Sequence, residues 1–139
     1  MRRPVSRAPF LFGGFSMTLQ LLPDRFSVCQ LSDACEANLK HPFTFLSITD
    51  DEISLVCPES EVPASTLRTE SGWCAFRIVE MLDFSLTGIL SGISAVLSEA
   101  KLSLFAISTY NTDYILIKES ALTKSISVLE NAGYEIKFL

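Results

Sequence analysis

Histidine, charge and long apolar runs are scarce in this sequence, and each shortage excludes a class of function. His41 is the only histidine among 139 residues, which leaves few means of building a hydrolytic triad or a zinc finger. Charged residues make up only 19%, and the net charge of −5 is opposite to that of a nucleic-acid binder. Serines and glycines interrupt every apolar run before it reaches the roughly 20 residues that cross a bilayer. We therefore expect neither nucleic-acid nor membrane binding.

Motifs of catalysis and cofactor binding are also missing. The sequence has no C-x-x-C pair and no glycine-rich phosphate-binding motif. His41 stands beside Pro42, which favours a solvated turn over a catalytic base. Asp50, Asp51 and Glu52 allow a metal site, but their place between two predicted strands favours a solvated acidic turn. We predict that the protein is not an enzyme and carries no metal or cofactor.

Cysteine usage indicates a reducing compartment. Cys29, Cys57 and Cys74 lie in apolar, strand-like runs, where a free cysteine behaves as a small hydrophobic residue. With Cys35 they make four, too few for a disulfide scaffold, and no secretory signal is recognisable, so we expect a cytoplasmic protein. The mean hydropathy of +0.34 is high for a single domain. We expect surplus apolar surface to be buried against another module or a second copy.

Residues 1–16 differ from the rest of the chain. They contain three arginines and no acidic residue, and two glycines cut short their one apolar stretch. This composition predicts a flexible leader, with an organelle-targeting segment as the alternative. Met17 then opens the folded part.

The second half predicts a complete α+β unit. Alternating and four-residue apolar spacing predicts the order β-α-β-β-α-β, the ferredoxin-like arrangement. The predicted strands are 74–79, 102–108, 114–118 and 134–138, and the predicted helices are 87–100 and 122–132, the second ended by Gly133. We place this domain at residues 72–139.

The first half predicts an abbreviated version of the same plan over residues 17–71. Strands are expected at 26–31, 43–49 and 52–57, while residues 32–42 leave room for a short helix or none. The remainder is a linker with one helical turn near 64–68. A gapless alignment of the halves sets Ser47 against Ser108 and Glu52 against Asp113, which indicates two units in tandem.

The chain entering the first helix of the second unit is a candidate ligand site. Thr87 can cap the helix and Gly88 permits close approach to the backbone. Because residues 85–98 contain no acid, the unpaired N–H groups of the first turn could donate hydrogen bonds to a ligand carboxylate or phosphate. The alternative is an ordinary capped helix with small residues for packing.

The polar turn over residues 108–113 is the second candidate. Asp113 could meet an amino group through a charge-assisted hydrogen bond, although plain turn chemistry also explains the composition. In a ferredoxin-like unit the helix start and this turn lie at the same edge of the sheet. A zwitterion would then find N–H donors on one side and a carboxylate on the other.

Several runs resemble the small proteins with two ACT domains of the ACT_7 type, whose units are similar to those of aspartate kinase regulatory regions and CASTOR arginine sensors. In the second half these runs are GWCAFR (72–77), LDFSLTGIL (82–90) and ISTYNTDYIL (107–116). In the first half they are LLPDRFSVC (21–29) and FLSITDDEISLV (45–56). The resemblance implies two ferredoxin-like ACT units in tandem, the first abbreviated, and regulatory amino-acid binding at an interface between ACT units.

The resemblance also implies which residues bind the ligand. The backbone of Thr87, Gly88, Ile89 and Leu90 would hold its α-carboxylate. The amino-group and side-chain end would be lined by Leu86, Thr109, Tyr110, Thr112 and Asp113. The arginine sensors have a glutamate where this chain has Leu86, so a neutral or apolar side chain fits better than arginine. A single copy would need a homodimer to complete the site. The alternative function is a ligand-free module for protein–protein interaction.

Overall fold

A computed structural model describes residues 17–79 and 88–139 of the protein, so the predicted leader lies outside the described residues. The described chain has the expected α+β composition. Its elements are β1 (Thr18–Leu31), β2 (Phe45–Ile48), β3 (Ile53–Pro58), β4 (Arg68–Val79), α1 (Ile89–Glu99), β5 (Phe105–Ser108), β6 (Asp113–Lys118), α2 (Leu122–Asn131) and β7 (Glu135–Phe138). From β4 onward they follow the predicted order β-α-β-β-α-β.

The chain forms two compact units, and one boundary between them, at residues 73 and 74, lies close to the predicted one at residues 71 and 72. The difference from the prediction is at the start of the described chain, where residues 17–23 join the C-terminal elements. Residues 17–23 and 74–139 form what we call the large unit, and residues 24–73 form the small unit. The start of β1 belongs to the large unit because Thr18 to Leu21 pair in parallel with β7, from Glu135 to Phe138. These paired residues are more than a hundred positions apart, so a single boundary in the sequence could not predict that they belong to one unit.

The large unit has the strand order β7-β1-β4-β6-β5. In a simple ferredoxin-like unit the closing strand lies beside the opening strand, whereas here the start of β1 lies between β7 and β4. Helix α1 contributes Ile89, Ile93 and Leu97, spaced by four residues, to the core of this unit. The strands contribute alternate residues, among them Leu19, Phe76 and Ile117.

The small unit has the strand order β2-β3-β1-β4 and contains no α-helix. Its connections hold only 3-10 turns, Ala34–Glu36 and Glu59–Glu61, which agrees with the expectation of a short or missing first helix. The helical turn predicted near 64–68 was wrong. The N–H of Leu67 already donates to the carbonyl of Gln30 at 2.8 Å, which leads the chain directly into β4.

Each unit contains a similar hairpin, but the predicted alignment of the two was one residue out. The pair that closes the first hairpin is Ile48 with Ile53, and the pair that closes the second is Ser108 with Asp113. In both turns a threonine, Thr49 or Thr109, donates its backbone N–H to the carbonyl three residues later. The acceptors are Glu52 at 3.0 Å and Thr112 at 2.8 Å. Asp113 therefore corresponds to Ile53, not to Glu52.

The Leu97 side chain tests how much the core of the large unit contributes to stability. It is 0% exposed, so Leu97→Ala leaves a cavity and should lower the free energy of unfolding by about 2–5 kcal/mol. The matched control is Leu139→Ala, because Leu139 is 58% exposed and should lose less than about 0.5 kcal/mol. Urea denaturation followed by circular dichroism measures both. Equal losses would contradict the assigned core.

Tyr134 makes the stability of the large unit sensitive to alkaline pH. Burial raises the pKa of Tyr134 from 10.0 to about 12, so the folded state favours the protonated phenol. The resulting contribution to stability is complete below about pH 10 and is lost as the pH rises towards about 12. Tyr134→Phe should make this loss smaller, whereas Tyr110→Phe, at a fully exposed tyrosine, should not change it. Thermal unfolding between about pH 9 and 12 compares the three proteins.

Candidate functional site

Among the described residues, the first turn of α1 has no acidic residue and no side-chain cap. Gly88 precedes the helix with φ 92°, a left-handed conformation that favours glycine, and its carbonyl accepts the N–H of Gly92 at 2.8 Å. The first turn of α1 has no acidic residue, and Gly88 has no side chain with which to cap it. The helix dipole therefore favours a negative charge here. Leu86 and Thr87, the other predicted residues of this segment, lie outside the described residues.

The side chains of Ile89 and Leu90 serve packing. Ile89 is buried in the core of the large unit, and Leu90 packs partly buried against that core. Only their backbone N–H groups are therefore available to a ligand at the start of α1. The predicted role of these two residues concerned the backbone alone.

The turn between β5 and β6 is held by its own threonines. The Thr109 hydroxyl donates to the Thr112 carbonyl at 2.9 Å and accepts from the Thr112 N–H at 3.3 Å. The Thr112 hydroxyl in turn donates to the carbonyl of Ile78 at 2.6 Å. Ile78 is the penultimate residue of β4, the strand that leads towards α1. This hydrogen bond therefore fixes the turn at the edge of the sheet from which the chain leaves for the helix.

Asp113 stands at the base of the same turn with an oriented carboxylate. The Ser108 hydroxyl donates to its Oδ1 at 2.6 Å across the closing pair of the hairpin. The side chain is half-buried, which retains access from solvent. Tyr110, at the tip of the turn, is fully exposed. The structure thus brings Thr109, Thr112 and Asp113 together, while Tyr110 extends outward from them.

A groove beside Leu90 was not anticipated from the sequence. It has a volume of about 600 Å³ and lies between one side of α1 and the outermost strand β5. The helix side is lined by Leu90, Ser94 and Ser98, and the strand side includes Phe105 and Ala106. The four-residue spacing of Leu90, Ser94 and Ser98 was the available signal, because it places them on one face of the helix.

Within residues 17–79 and 88–139, no group of three or more His, Cys, Asp or Glu side chains could hold a metal ion. His41 lies in the small unit, where its Nδ1 is 2.8 Å from the Pro42 carbonyl and its Nε2 is 3.7 Å from a Glu61 carboxylate oxygen. None of the described helices is both long and apolar enough to pass through a membrane.

Comparison with known proteins identifies the region that contains these features. Residues 68–131 match the family model ACT_7, described as an ACT domain. This range runs from β4 through α1 and the second hairpin to the end of α2. The curated proteins yielded no match.

Solved structures share the fold over most of the chain. The protein Atu0741 from Agobacterium tumefaciens has a TM-score of 0.78 and 27% identity, covering 88% of this chain and 93% of that one. Aspartate kinase from Clostridium acetobutylicum has a TM-score of 0.61 and 13% identity, covering 84% of this chain and 34% of the kinase. The regulatory subunit of aspartate kinase from Thermus thermophilus has a TM-score of 0.56 and 7% identity, covering 82% and 95%. At such identities the two kinase comparisons establish the fold alone.

The hydrogen bond from Thr112 to Ile78 can be tested by an isosteric change. Thr112→Val removes the hydroxyl and leaves the Ile78 carbonyl without this donor, so the free energy of unfolding should fall by about 1–2 kcal/mol. Thr123→Val is the control, because Thr123 is exposed on α2 and should lose less than about 0.5 kcal/mol. Amide hydrogen exchange should also become faster in the turn over residues 109–112. Unchanged exchange in that turn would show that the bond does not hold it.

Proposed function

We propose that this ACT-type protein, which shares its fold with the regulatory regions of aspartate kinases, is a regulatory module that binds an amino acid at an interface between ACT units. The observation that carries the proposal is the fixed turn at residues 109–113, which presents the Asp113 carboxylate at the edge where β4 leaves for α1. The ACT match covers β4, α1 and this turn. Both halves of the proposed site therefore belong to the matched region.

The ligand would be held by its two charged groups. Its α-amino group would meet the Asp113 carboxylate, which Ser108 orients, in a charge-assisted hydrogen bond. Its α-carboxylate would meet the backbone N–H groups at the start of α1, from Thr87 to Leu90. Leu86 would face the ligand side chain, and its apolar character fits a neutral or apolar amino acid.

The main role of Thr109 and Thr112 would be to hold the turn in place rather than to contact the ligand. Their hydroxyls are already engaged within the turn and with Ile78. Tyr110 is fully exposed and would reach a ligand only if a second unit covered it. This supports a site that is completed by another ACT unit.

The small unit would act as the abbreviated first ACT unit without a ligand site of its own. It repeats the hairpin, but the position of Asp113 is taken by Ile53, which has no charge for an amino group. It also has no α-helix whose first turn could receive a carboxylate. We therefore propose one ligand site per chain, located in the large unit.

A homodimer would complete the site. Strand β5 ends the strand order, and the groove beside it, with Leu90 and Phe105 in its lining, offers apolar surface for a second copy. The mean hydropathy of +0.34 agrees with burial of more apolar surface than one copy provides. Light scattering after size exclusion would show twice the mass of 15.4 kDa if the proposal is right.

Protein–protein interaction without a ligand is the second candidate. The full exposure of Tyr110 favours it, since tyrosine is enriched at interfaces and this one stands at the tip of a fixed turn. In that case the same edge of the sheet would hold a partner protein. Both candidates are binding roles, and neither requires catalysis.

The experiment is a thermal unfolding series with each of the twenty amino acids at millimolar concentration. A ligand at about ten times its Kd adds about 1.4 kcal/mol, which raises the melting temperature by several degrees. Asp113→Asn should abolish the increase, because it removes the charge that receives the amino group. Asp51→Asn, in the turn of the other hairpin, should preserve it.

Two outcomes would contradict the amino-acid proposal. One is that no amino acid raises the melting temperature of the full chain. The other is that Asp51→Asn reduces the response as much as Asp113→Asn does. If instead Asp113→Asn leaves binding of a partner protein intact and no amino acid acts, the interaction module is the better description.

A further inference from the structure

Two cysteines of the small unit lie side by side, in a place that the proposed amino-acid site does not use. In the pairing of β1 with β3, Cys57 is opposite Ser27 and Cys29 is opposite Leu55. Because side chains alternate along a strand, Cys29 and Cys57 are diagonal neighbours on one face of the sheet. Both carry free thiols.

The two thiols are neighbours in the small unit and are shielded from solvent. Burial raises the pKa of Cys29, and hydrogen bonding to the side chains of Thr69 and Cys57 lowers it by less. Cys29 is 2% and Cys57 is 1% exposed, with Leu31 and Leu55 in the same core cluster. Burial is the largest cause that raises the pKa of both thiols, that of Cys57 to about 12. In the absence of a ligand the pair is therefore protonated and unreactive at neutral pH.

A disulfide fits this position poorly. Diagonal neighbours across an antiparallel pair are about 7–8 Å apart, whereas the Cα atoms of a disulfide are usually about 4.4–6.8 Å apart. Closing the bond would therefore require the two strands to shift. An ion between the sulfur atoms requires no such shift, because it spans the gap with two longer bonds.

The pair also selects among metal ions. Zinc in structural sites takes four ligands, and the described residues contain no group of three or more potential ligands. Thiolates are soft donors that favour monovalent copper over hard cations, which prefer oxygen ligands. The Glu61 carboxylate lies near enough to raise the pKa of Cys57.

We propose that Cys29 and Cys57 form a two-coordinate binding site for a soft monovalent metal ion of the Cu(I) class. Each sulfur forms one bond to the ion as its proton leaves to solvent, and the metal keeps its oxidation state. The Thr69 side chain remains hydrogen-bonded to the Cys29 sulfur and stabilises its negative charge. Binding would stabilise the folded small unit, since the two strands hold the ligands together only when folded.

The test is an anaerobic titration of the reduced full chain with Cu(I) supplied as its coloured bicinchoninate complex. Cys35→Ser serves as the parent protein, because Cys35 is exposed and could bind the ion by itself. The parent should remove about one equivalent of Cu(I) per chain from the chelator and melt at a higher temperature afterwards. Uptake should weaken as the pH falls, since two protons must leave.

Single substitutions distinguish Cu(I) binding by Cys29 and Cys57 from binding by the other buried cysteine, Cys74. In the Cys35→Ser background, Cys29→Ala and Cys57→Ala should each lower the affinity for Cu(I) at least about 100-fold, because one thiolate alone is a weak site. Cys74→Ala is the matched control, since Cys74 is also buried but lies in the large unit, and it should retain full uptake. Circular dichroism confirms that each variant is folded.

A measurement on the parent protein keeps the proposal testable if a variant does not fold. X-ray absorption of the copper-loaded protein should show two sulfur ligands and no nitrogen or oxygen. The proposal is overturned if the parent takes up no Cu(I), if Cys74→Ala loses as much uptake as the pair variants, or if the copper has three or more ligands. It is also overturned if the reduced pair closes to a disulfide under mild oxidation while failing to take up Cu(I).

Discussion

The pairing of the first strand with the last organises the large unit. Thr18 to Leu21 run parallel to β7 and lie between it and β4, so that residues near both ends of the described chain meet in one sheet. Leu19 and Leu21 thereby enter the same core as α1 and α2. The Thr18 hydroxyl adds a hydrogen bond to the Glu135 carboxylate at 3.1 Å. Without these residues β7 would lose its only partner among the described strands, and the core would lose the side chains of Leu19 and Leu21.

The candidate site depends on a second, smaller constraint at the other edge of that sheet. The hydrogen bond from Thr112 to Ile78 fixes the second hairpin against the strand that leads to α1. A ligand that needs a carboxylate and free N–H groups benefits if both are held in place before it binds, because less ordering is then required. The hairpin of the small unit has the same internal hydrogen bonds but an isoleucine at the position of Asp113. Similar backbone geometry therefore does not make the two units equivalent for binding.

Much of the fold could be predicted because its signals are local. The four-residue spacing of Ile89, Ile93 and Leu97 predicted α1, and alternation predicted the strands of the second half. The alignment of the two hairpins failed by one residue because short alternating runs match equally well in neighbouring registers, which only the closing hydrogen bonds distinguish. Of the proposed site, Thr109, Thr112 and Asp113 lie together in one turn, whereas Leu86 and Thr87 lie outside the described residues.

The sequence by itself determined the α+β class, the order of elements from β4 onward and the lack of acid at the start of α1, since each depends on the identity and spacing of nearby residues. Only the tertiary structure decided that residues 17–23 belong with the C-terminal elements and that Cys29 and Cys57 share one face. Both results depend on strand pairing between distant segments. No local pattern specifies such pairing, because any exposed strand edge offers the same backbone donors and acceptors.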